Sequence, residues 1–327
     1  VIKVYTIGVD LGGTQIRAGL FDQKGELLFK AEALTLAQEG AEAVISRIKQ
    51  SIHEVIGFIE GPTSGSINGI GIGSPGPLNP FTGMVLSPSN LPGMVDIPLQ
   101  QIIADEFHVP VYLNNDANAA ALGEWLYGEG RHTKNMLYIT ISTGIGAGVI
   151  VDGHLLLGEQ GSAGEVGHMI IDPQGPLCSC GNYGCFEACA SGTGIVQRTK
   201  EKLARYTSEG QTSFSQLQLV DEDSLTSRDV FAAAMNNDAL AMEIVEETRT
   251  YLGIGLINLI NLYNPQKIIF GGGVSKAGDF LLKSAVEMAQ QRSQLGMRDV
   301  EFTMASLGDN AGLYGAAALV SYHQQLG

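Results

Sequence analysis

Asp10-Leu11-Gly12-Gly13-Thr14 separates two stretches that read as strands, Ile2–Asp10 before it and Gln15–Phe21 after it. The first alternates and is rich in β-branched residues, so the pair predicts a hairpin with a glycine corner. Adjacent glycines let the backbone curl until successive N–H groups converge on an anion, and the Thr14 hydroxyl adds a donor. Asp10 stands where a carboxylate can hold Mg²⁺, directly or through water. An ordinary Gly-Gly hairpin reads the same way, so this corner decides nothing alone. It recurs, however. Leu137–Ser142 and Ala147–Val151 bracket Thr143-Gly144-Ile145-Gly146, a second glycine turn between strands. A dinucleotide fingerprint must open a helix and a P-loop needs a Lys, and this turn does neither. Gly271-Gly272-Gly273 follows the strand Lys267–Phe270 and precedes the helix expected over Ala277–Arg292, where bare backbone suits a flat base or ribose. Three such turns, two in matching hairpins, predict a nucleotide cleft in an α/β fold.

Working outward, the pattern predicts strands at Glu26–Ala33, Ile67–Ile72, Val111–Leu113 and Val300–Ala305. Helices are expected at Glu39–Ile59, Asp116–Leu126, Asp238–Asn261 and Asn310–Tyr322 by apolar spacing. Asp22-Gln23-Lys24-Gly25 reads as a hairpin turn, and regular structure is expected to stop at Gly73-Ser74-Pro75-Gly76-Pro77. Residues 208–227 read as a polar excursion. A length of 327 residues predicts two domains. The smaller is expected over 1–117 with the closing helix 310–327, and the larger over 118–309. Hydrophobic residues make up 44% and charged residues 16%, enough to bury a core and against disorder. The formal net charge of −15 repels phosphate backbones and anionic membrane surfaces, so no nucleic-acid or membrane partner is expected. A polyphosphate must then be met by backbone N–H groups, helix N-termini and a metal rather than by a basic patch. No apolar run is long enough to span a bilayer, and the expected location is cytoplasmic.

All four cysteines fall at Cys178, Cys180, Cys185 and Cys189. A disulfide framework spreads its cysteines, whereas thiols clustered around Gly-Asn turns suit tetrahedral zinc. By spacing alone the four thiols would suffice as ligands. Asn114-Asn115-Asp116-Ala117-Asn118 offers hydrogen-bonding side chains at a strand-to-helix junction. Asn and Asp are also preferred helix caps, although a cap needs only one of them.

The three glycine turns resemble the two phosphate segments and the adenosine segment of the actin-like ATPase (ribonuclease H-like) fold. Gly164-Glu165-Val166-Gly167-His168, followed by the C-x-C-G-x-x-G-C-x-E run from Cys178 to Glu187, is similar to the signature of the ROK family (repressors, open reading frames and kinases). The resemblance covers essentially the whole chain. It implies an ATP-dependent kinase acting on the primary hydroxyl of a hexose, with ATP, Mg²⁺ and structural Zn²⁺. It assigns the nucleotide to Asp10, Gly12, Gly13, Thr14, Thr143, Gly144, Gly271, Gly272 and Gly273. Zinc goes to His168, Cys178, Cys180 and Cys185 within a loop over 168–187, which leaves Cys189 outside the set. The sugar falls to Gly76, Asn90, Asn115, Glu165, His168 and Glu187, with Asp116 as general base. The loop around Ser74-Pro75-Gly76 and Asn90 is expected to close over the hexose, and the two domains to close on the cleft between them. Glucose is favoured by likeness to bacterial glucokinases, with N-acetylmannosamine, mannose, fructose and allose as alternatives and polyphosphate as a less expected donor. A homodimer through the C-terminal domain is also implied. Two rival readings are weaker: a repressor of the same family, because only nine residues precede Asp10 and the charge is −15, and a non-catalytic sugar sensor, because Asp116 and the turns are intact. Trp125 reads as packing, and Arg17 and Lys24 receive no role.

Overall fold

The computed structural model describes residues 3–59, 65–208, 215–221 and 223–326. The chain opens with strands β1 (Lys3–Leu11), β2 (Gln15–Phe21) and β3 (Leu27–Leu34), then helix α1 (Ala41–Gly57) and strand β4 (Gly65–Ser74). Short strands β5 (Leu78–Asn79) and β6 (Met84–Val85) lead to α2 (Leu99–Phe107), β7 (Val111–Asn115) and α3 (Asp116–Tyr127). Next come β8 (Met136–Ile141), β9 (Ile145–Val151), β10 (His154–Leu155), α4 (Phe186–Ala190), α5 (Gly192–Ser208) and α6 (Ser227–Met235). The chain ends with α7 (Ala239–Tyr263), β11 (Lys267–Gly271), α8 (Asp279–Arg292), β12 (Glu301–Met304) and α9 (Ala311–Leu326). No described helix is long and apolar enough to cross a membrane. Part of the polar excursion expected at 208–227 lies outside the described residues.

The chain divides into two compact units: Val1–Lys134 with Gly148–Gly164 and Ala305–Gly327, and Asn135–Ala147 with Glu165–Met304. A boundary at 117/118 would fall inside α3.

Unit 1 is built on the sheet β3-β2-β1-β4-β7, antiparallel from β3 to β1 and parallel from β1 through β4 to β7. Side chains alternate across β1 with the strand period of two. Tyr5, Ile7, Val9 and Leu11 join a buried cluster with Val44, Ile48, Ile52 and Val55 of α1 and Leu99 and Ile103 of α2. On the other face α9 comes so close that a Cβ on Gly8 would lie 2.8 Å from Ala317 N, and one on Gly71 would strike the Ala316 carbonyl. Those glycines let a helix backbone lie directly on the sheet.

The parallel strands place the chemistry. Asp10 pairs with Gly73, Gly73 with Asn114 and Ser74 with Asn115, so the C-terminal ends of β1, β4 and β7 bring Asp10, Ser74 and Asn115 to one edge of the sheet. Ligands of open α/β sheets bind at that edge. Here the structure departs from expectation: β4 runs on through Gly73 and Ser74, because β7 supplies a partner that overrides the poor strand propensity of glycine. The helix α2 was not anticipated, although Leu99, Ile102 and Ile103 have helical spacing.

In unit 2, β11 runs parallel to β8 and β12 parallel to β11. β9 starts at Ile145 rather than Ala147, which shortens the second turn to Ser142-Thr143-Gly144. The 25-residue α7 buries Ile244, Val245, Leu252, Leu256, Leu259 and Ile260. A Cβ on its Gly255 would strike the Phe186 ring of α4, so this glycine lets α4 dock and fixes Glu187, one residue on.

Candidate functional site

In unit 1 the first glycine turn is closed by Gly12 N–H donating to Gln15 O at 2.9 Å. Thr35 braces it from β3's end, donating from Oγ1 to Gly12 O at 2.6 Å and from N to Thr14 O at 2.9 Å. Because the Gly12 N–H is spent inside the turn, donation to an anion falls to Gly13 and Thr14. Asn90 lies against this turn, since a Cβ on Gly13 would stand 2.8 Å from Asn90 O. The structure thus brings two expected site segments together.

The junction of β7 and α3 is a helix cap as well as a candidate site. Asn115 is the N-cap, its Oδ1 accepting from Ala117 N at 2.9 Å, and Asp116 Oδ1 accepts from the same N–H at 2.8 Å. Asn114 turns inward, accepting from Asn115 N at 2.8 Å and from Asn118 Nδ2 at 3.0 Å, and both Asn114 and Asn118 are buried. Asn115 Nδ2 comes within 3.5 Å of where a Gly76 Cβ would be. Asp116 is exposed at the first helical position, with its carboxylate plane set by the backbone N–H. A carboxylate there is also favoured by the helix dipole.

In unit 2 the second turn is closed by Ser142 N donating to Gly144 O at 2.9 Å. The start of α5 is tied to it through Gly192 N to Ser142 O at 2.7 Å and Thr193 N to Thr143 O at 3.2 Å. Glu187 Oε2 accepts from Ile145 N at 2.9 Å, and a Cβ on Gly144 would strike the same carboxylate. Glu187, expected on the sugar ring, therefore also braces the second turn.

The thiol loop folds back on the Glu165–His168 segment. Phe186 N donates to Met169 O at 2.8 Å and Cys178 N to Asn182 O at 2.8 Å, with isolated bridges Ile170–Cys185 and Leu177–Tyr183. One ligand atom each from His168, Cys178, Cys180 and Cys185 lies within 4.8 Å of the others, a grouping that could hold a metal ion. Cys180 and Cys185 sulfurs are 3.6 Å apart, and His168 Nδ1 is 3.7 Å from Cys178 Sγ. Tetrahedral zinc with Zn–S of about 2.3 Å needs ligand atoms about 3.5–3.8 Å apart, so the donor set fits. All four cysteines are free thiols, and Cys189, fully buried on α4, stands outside the cluster. The Asn182 backbone N–H beside Cys180 brings that thiol down to about 7. Burial pushes Cys185 up to about 12, and the neighbouring Cys180 adds to the shift.

A cavity of about 820 Å³ opens in unit 2 beside the second turn, lined by Thr143, Thr193, Phe231 and Gly273 among others. Lys200, Arg228 and Lys276 also line it, and no carboxylate does among its described residues. That size suits a nucleotide. Three cations thus collect at one cavity of an acidic chain. Of Gly271, Gly272 and Gly273 at the end of β11, only Gly273 lines the cavity. Gly271 packs on the Tyr138 hydroxyl and Gly272 on the Ile141 backbone.

The model of the ROK family matches residues 6–323. The chain belongs to the ROK family. With that membership comes the actin-like ATPase fold of ROK sugar kinases. The chain is 40% identical over 324 residues to a glucokinase of Halalkalibacterium halodurans, covering 97% of this chain and 95% of that one. It is similar to a ROK family glucokinase of Streptomyces griseus solved in complex with glucose and AMPPNP: TM-score 0.76, 32% identity, 96% of this chain and 98% of that one. It is also 33% identical to a xylose repressor of Caldicellulosiruptor bescii, over 96% of this chain and 77% of the repressor.

Two features of this ROK protein escaped sequence reasoning. The cavity's helical wall, Thr193 and Lys200 of α5 with Arg228 and Phe231 of α6, carries no motif spacing, although Gly192-Thr193-Gly194 repeats the glycine theme at a helix start. Arg17 receives no role from the sequence. In the structure it ion-pairs with Asp10.

Proposed function

We propose that the chain transfers the γ-phosphoryl group of ATP to the primary hydroxyl of glucose, giving glucose 6-phosphate and ADP. The observation that carries this reading is Asp116, an exposed carboxylate oriented by Ala117 N–H at the sheet edge that also presents Asp10 and Asn115. Its support from likeness is the 40% identity to a glucokinase and the glucose- and AMPPNP-bound S. griseus relative. Family membership alone leaves the repressor open. Identity is higher to the glucokinase than to the repressor, and a general base is needed only for phosphoryl transfer.

Asp116 accepts the proton of the sugar's primary hydroxyl as that oxygen attacks the γ-phosphorus in line and ADP leaves. Asn115 Nδ2 and the Gly76 and Asn90 segments are assigned to sugar hydroxyls, as are Glu165, Glu187 and His168. Gly13, Thr14, Thr143 and Gly144 face the phosphates with backbone or hydroxyl donors, and the unit 2 cavity with Gly273 takes the nucleoside. Magnesium, which Asp10 would hold directly or through water, supplies charge neutralisation on the transferred group. Zinc would be held by His168, Cys178, Cys180 and Cys185 and supplies rigidity. With His168 Nδ1 turned to Cys178, Nε2 is left for a sugar hydroxyl. A cytoplasmic homodimer completes the reading, the compartment because reduced thiols suit it.

The test is ADP release by purified protein with glucose, N-acetylmannosamine, mannose, fructose and allose in turn, with ATP or polyphosphate as donor. Release dependent on glucose is expected. ADP release with no sugar in the panel would discard the kinase reading.

A further inference from the structure

Asp10 is not a solitary acid before a glycine turn. Arg17 lies directly across the β1–β2 ladder, and their Cα atoms are register partners. Its Nε donates to Asp10 Oδ2 at 3.1 Å and its Nη2 donates to the same oxygen. The third edge of the guanidinium is committed as well, with Nη1 donating to Asp309 O at 2.6 Å, just before α9. Asp10 is bounded on its other side by α9. A Cβ on Gly312 would stand 2.9 Å from Asp10 Oδ1 and closer still to Cγ and Oδ2. Glycine at 312 therefore leaves the space that the carboxylate fills. Neither side chain of the pair is freely solvated, at 25% exposure for Arg17 and 15% for Asp10.

A surface ion pair would add little to stability and would not need a glycine cut into the opposing helix. This carboxylate is instead gripped from β2 and from α9 at the mouth of a turn whose own Gly12 N–H is spent internally. We propose that Arg17 is a positioning residue of the phosphoryl-transfer site: with Gly312 it fixes the Asp10 carboxylate in the orientation that receives the donor's phosphate-bound magnesium. The inference rests on the kinase reading above and adds to it a residue that touches neither sugar nor nucleotide. Lysine is a poor replacement, since one ammonium cannot reproduce a fork reaching one carboxylate oxygen and a carbonyl in fixed geometry.

The test compares wild type, Arg17→Met, Arg17→Lys, Gly312→Ala, Asp10→Asn and the Asp10→Asn/Arg17→Met double variant. Arg17→Met is expected to lower kcat by about 10²-fold, the size of a small misplacement in a reacting assembly. It should weaken calorimetric binding of MgAMPPNP by about 10-fold, as loss of an outer partner of a metal-binding group does. Metal-free AMPPNP binding and the glucose KM should stay within about twofold. Arg17→Lys should recover part of the loss, and Gly312→Ala should give the same signature with every charge intact. Adding Arg17→Met to Asp10→Asn should cost nothing further. The inference is overturned if Arg17→Met changes only thermal stability, if it weakens AMPPNP equally without magnesium, or if its effect is undiminished in the Asp10→Asn background. Failure of the kinase reading would look different: wild type would bind MgAMPPNP yet phosphorylate no sugar, and the binding comparison would still decide the role of Arg17.

Discussion

The β7–α3 junction of unit 1 and the thiol loop of unit 2 both carry side chains proposed to meet ligands, and different forces hold them. At the junction every step is regular structure. Asn115 is the last residue of a paired strand, Asp116 the first of a twelve-residue helix, and Ala117 N–H ties the two side chains down. From Glu165 to Cys185 the chain has only a three-residue 3₁₀ turn, Val166–His168, and isolated bridges. A loop with so little ladder cannot offset its own conformational entropy, so a crosslink must do what the sheet does in unit 1. Under the zinc reading, the thiols and His168 would supply that crosslink. Substitutions at the junction should therefore alter chemistry and leave the fold intact, whereas substitutions in the loop should alter binding through loss of shape.

The sharpest test of the first half is Asp116→Asn. The helix start keeps a good capping residue, so thermal stability should hardly move while kcat falls by about 10²–10⁴-fold, the usual size of a lost general base. The glucose KM should be nearly unchanged in the coupled assay. A variant that retains wild-type kcat would mean the junction is only a cap. The matching test of the second half is Cys180→Ser. Metal analysis should find one zinc per chain in the wild type and none in this variant, and the glucose KM should rise by about 10–100-fold while the ATP KM stays close to wild type. Mild chelation of the wild type should do the same. If the stripped protein stayed folded with its glucose KM intact, the loop would be holding itself and the comparison would fail.

A smaller effect is expected at the second glycine turn, which borrows its brace from α4. Gly144→Val drives a side chain into the Glu187 carboxylate and breaks its bond to Ile145 N–H. AMPPNP affinity measured by calorimetry should drop by about 10-fold, or ~1.4 kcal/mol. Unchanged affinity would remove this turn from the phosphate site.

What the sequence disclosed follows the same division. Strands ending in glycine turns were legible because the period of two and the glycine punctuation are local signals. The strands β1, β4 and β7 were therefore found as segments, while their order in the sheet came only with the structure. The group that could hold a metal was legible as a cluster, but choosing His168 over Cys189 needed a family resemblance, because spacing cannot reveal that Cys189 is buried on α4 away from the other thiols. Two things were hidden for a physical reason. Arg17 meets Asp10 across a ladder and Gly312 meets it across 302 residues of chain, and register and helix docking are tertiary facts with no local trace. The cationic wall of the 820 Å³ cavity comes from Lys200 of α5, Arg228 of α6 and Lys276 of the 3₁₀ turn Ser275–Ala277, three separate segments whose polar faces look like any solvated face. Even Glu187 was only half legible: the family resemblance offered it as a sugar ligand, and its bond to Ile145 appeared only once α4 was packed.

The mildest change tests the boundary of the crosslink itself. Cys189 follows Cys185 by one helical turn, and its N–H donates to Cys185 O at 3.0 Å, so by sequence it looks like a fourth ligand. In the structure it is fully buried on α4 and stands outside the group of ligand atoms formed by His168, Cys178, Cys180 and Cys185. Cys189→Ser places a hydroxyl in an apolar setting, which costs about 1–3 kcal/mol unless it finds a partner. The nearby Cys185 carbonyl is a candidate acceptor, so the loss should sit at the low end of that range. Zinc content should remain one per chain and both KM values should stay near wild type. Loss of zinc from Cys189→Ser with retention in His168→Ala would exchange the two ligands. That outcome would detach the crosslink from the Glu165–His168 segment, and the proposed tie between zinc and the sugar contacts of that segment would be lost.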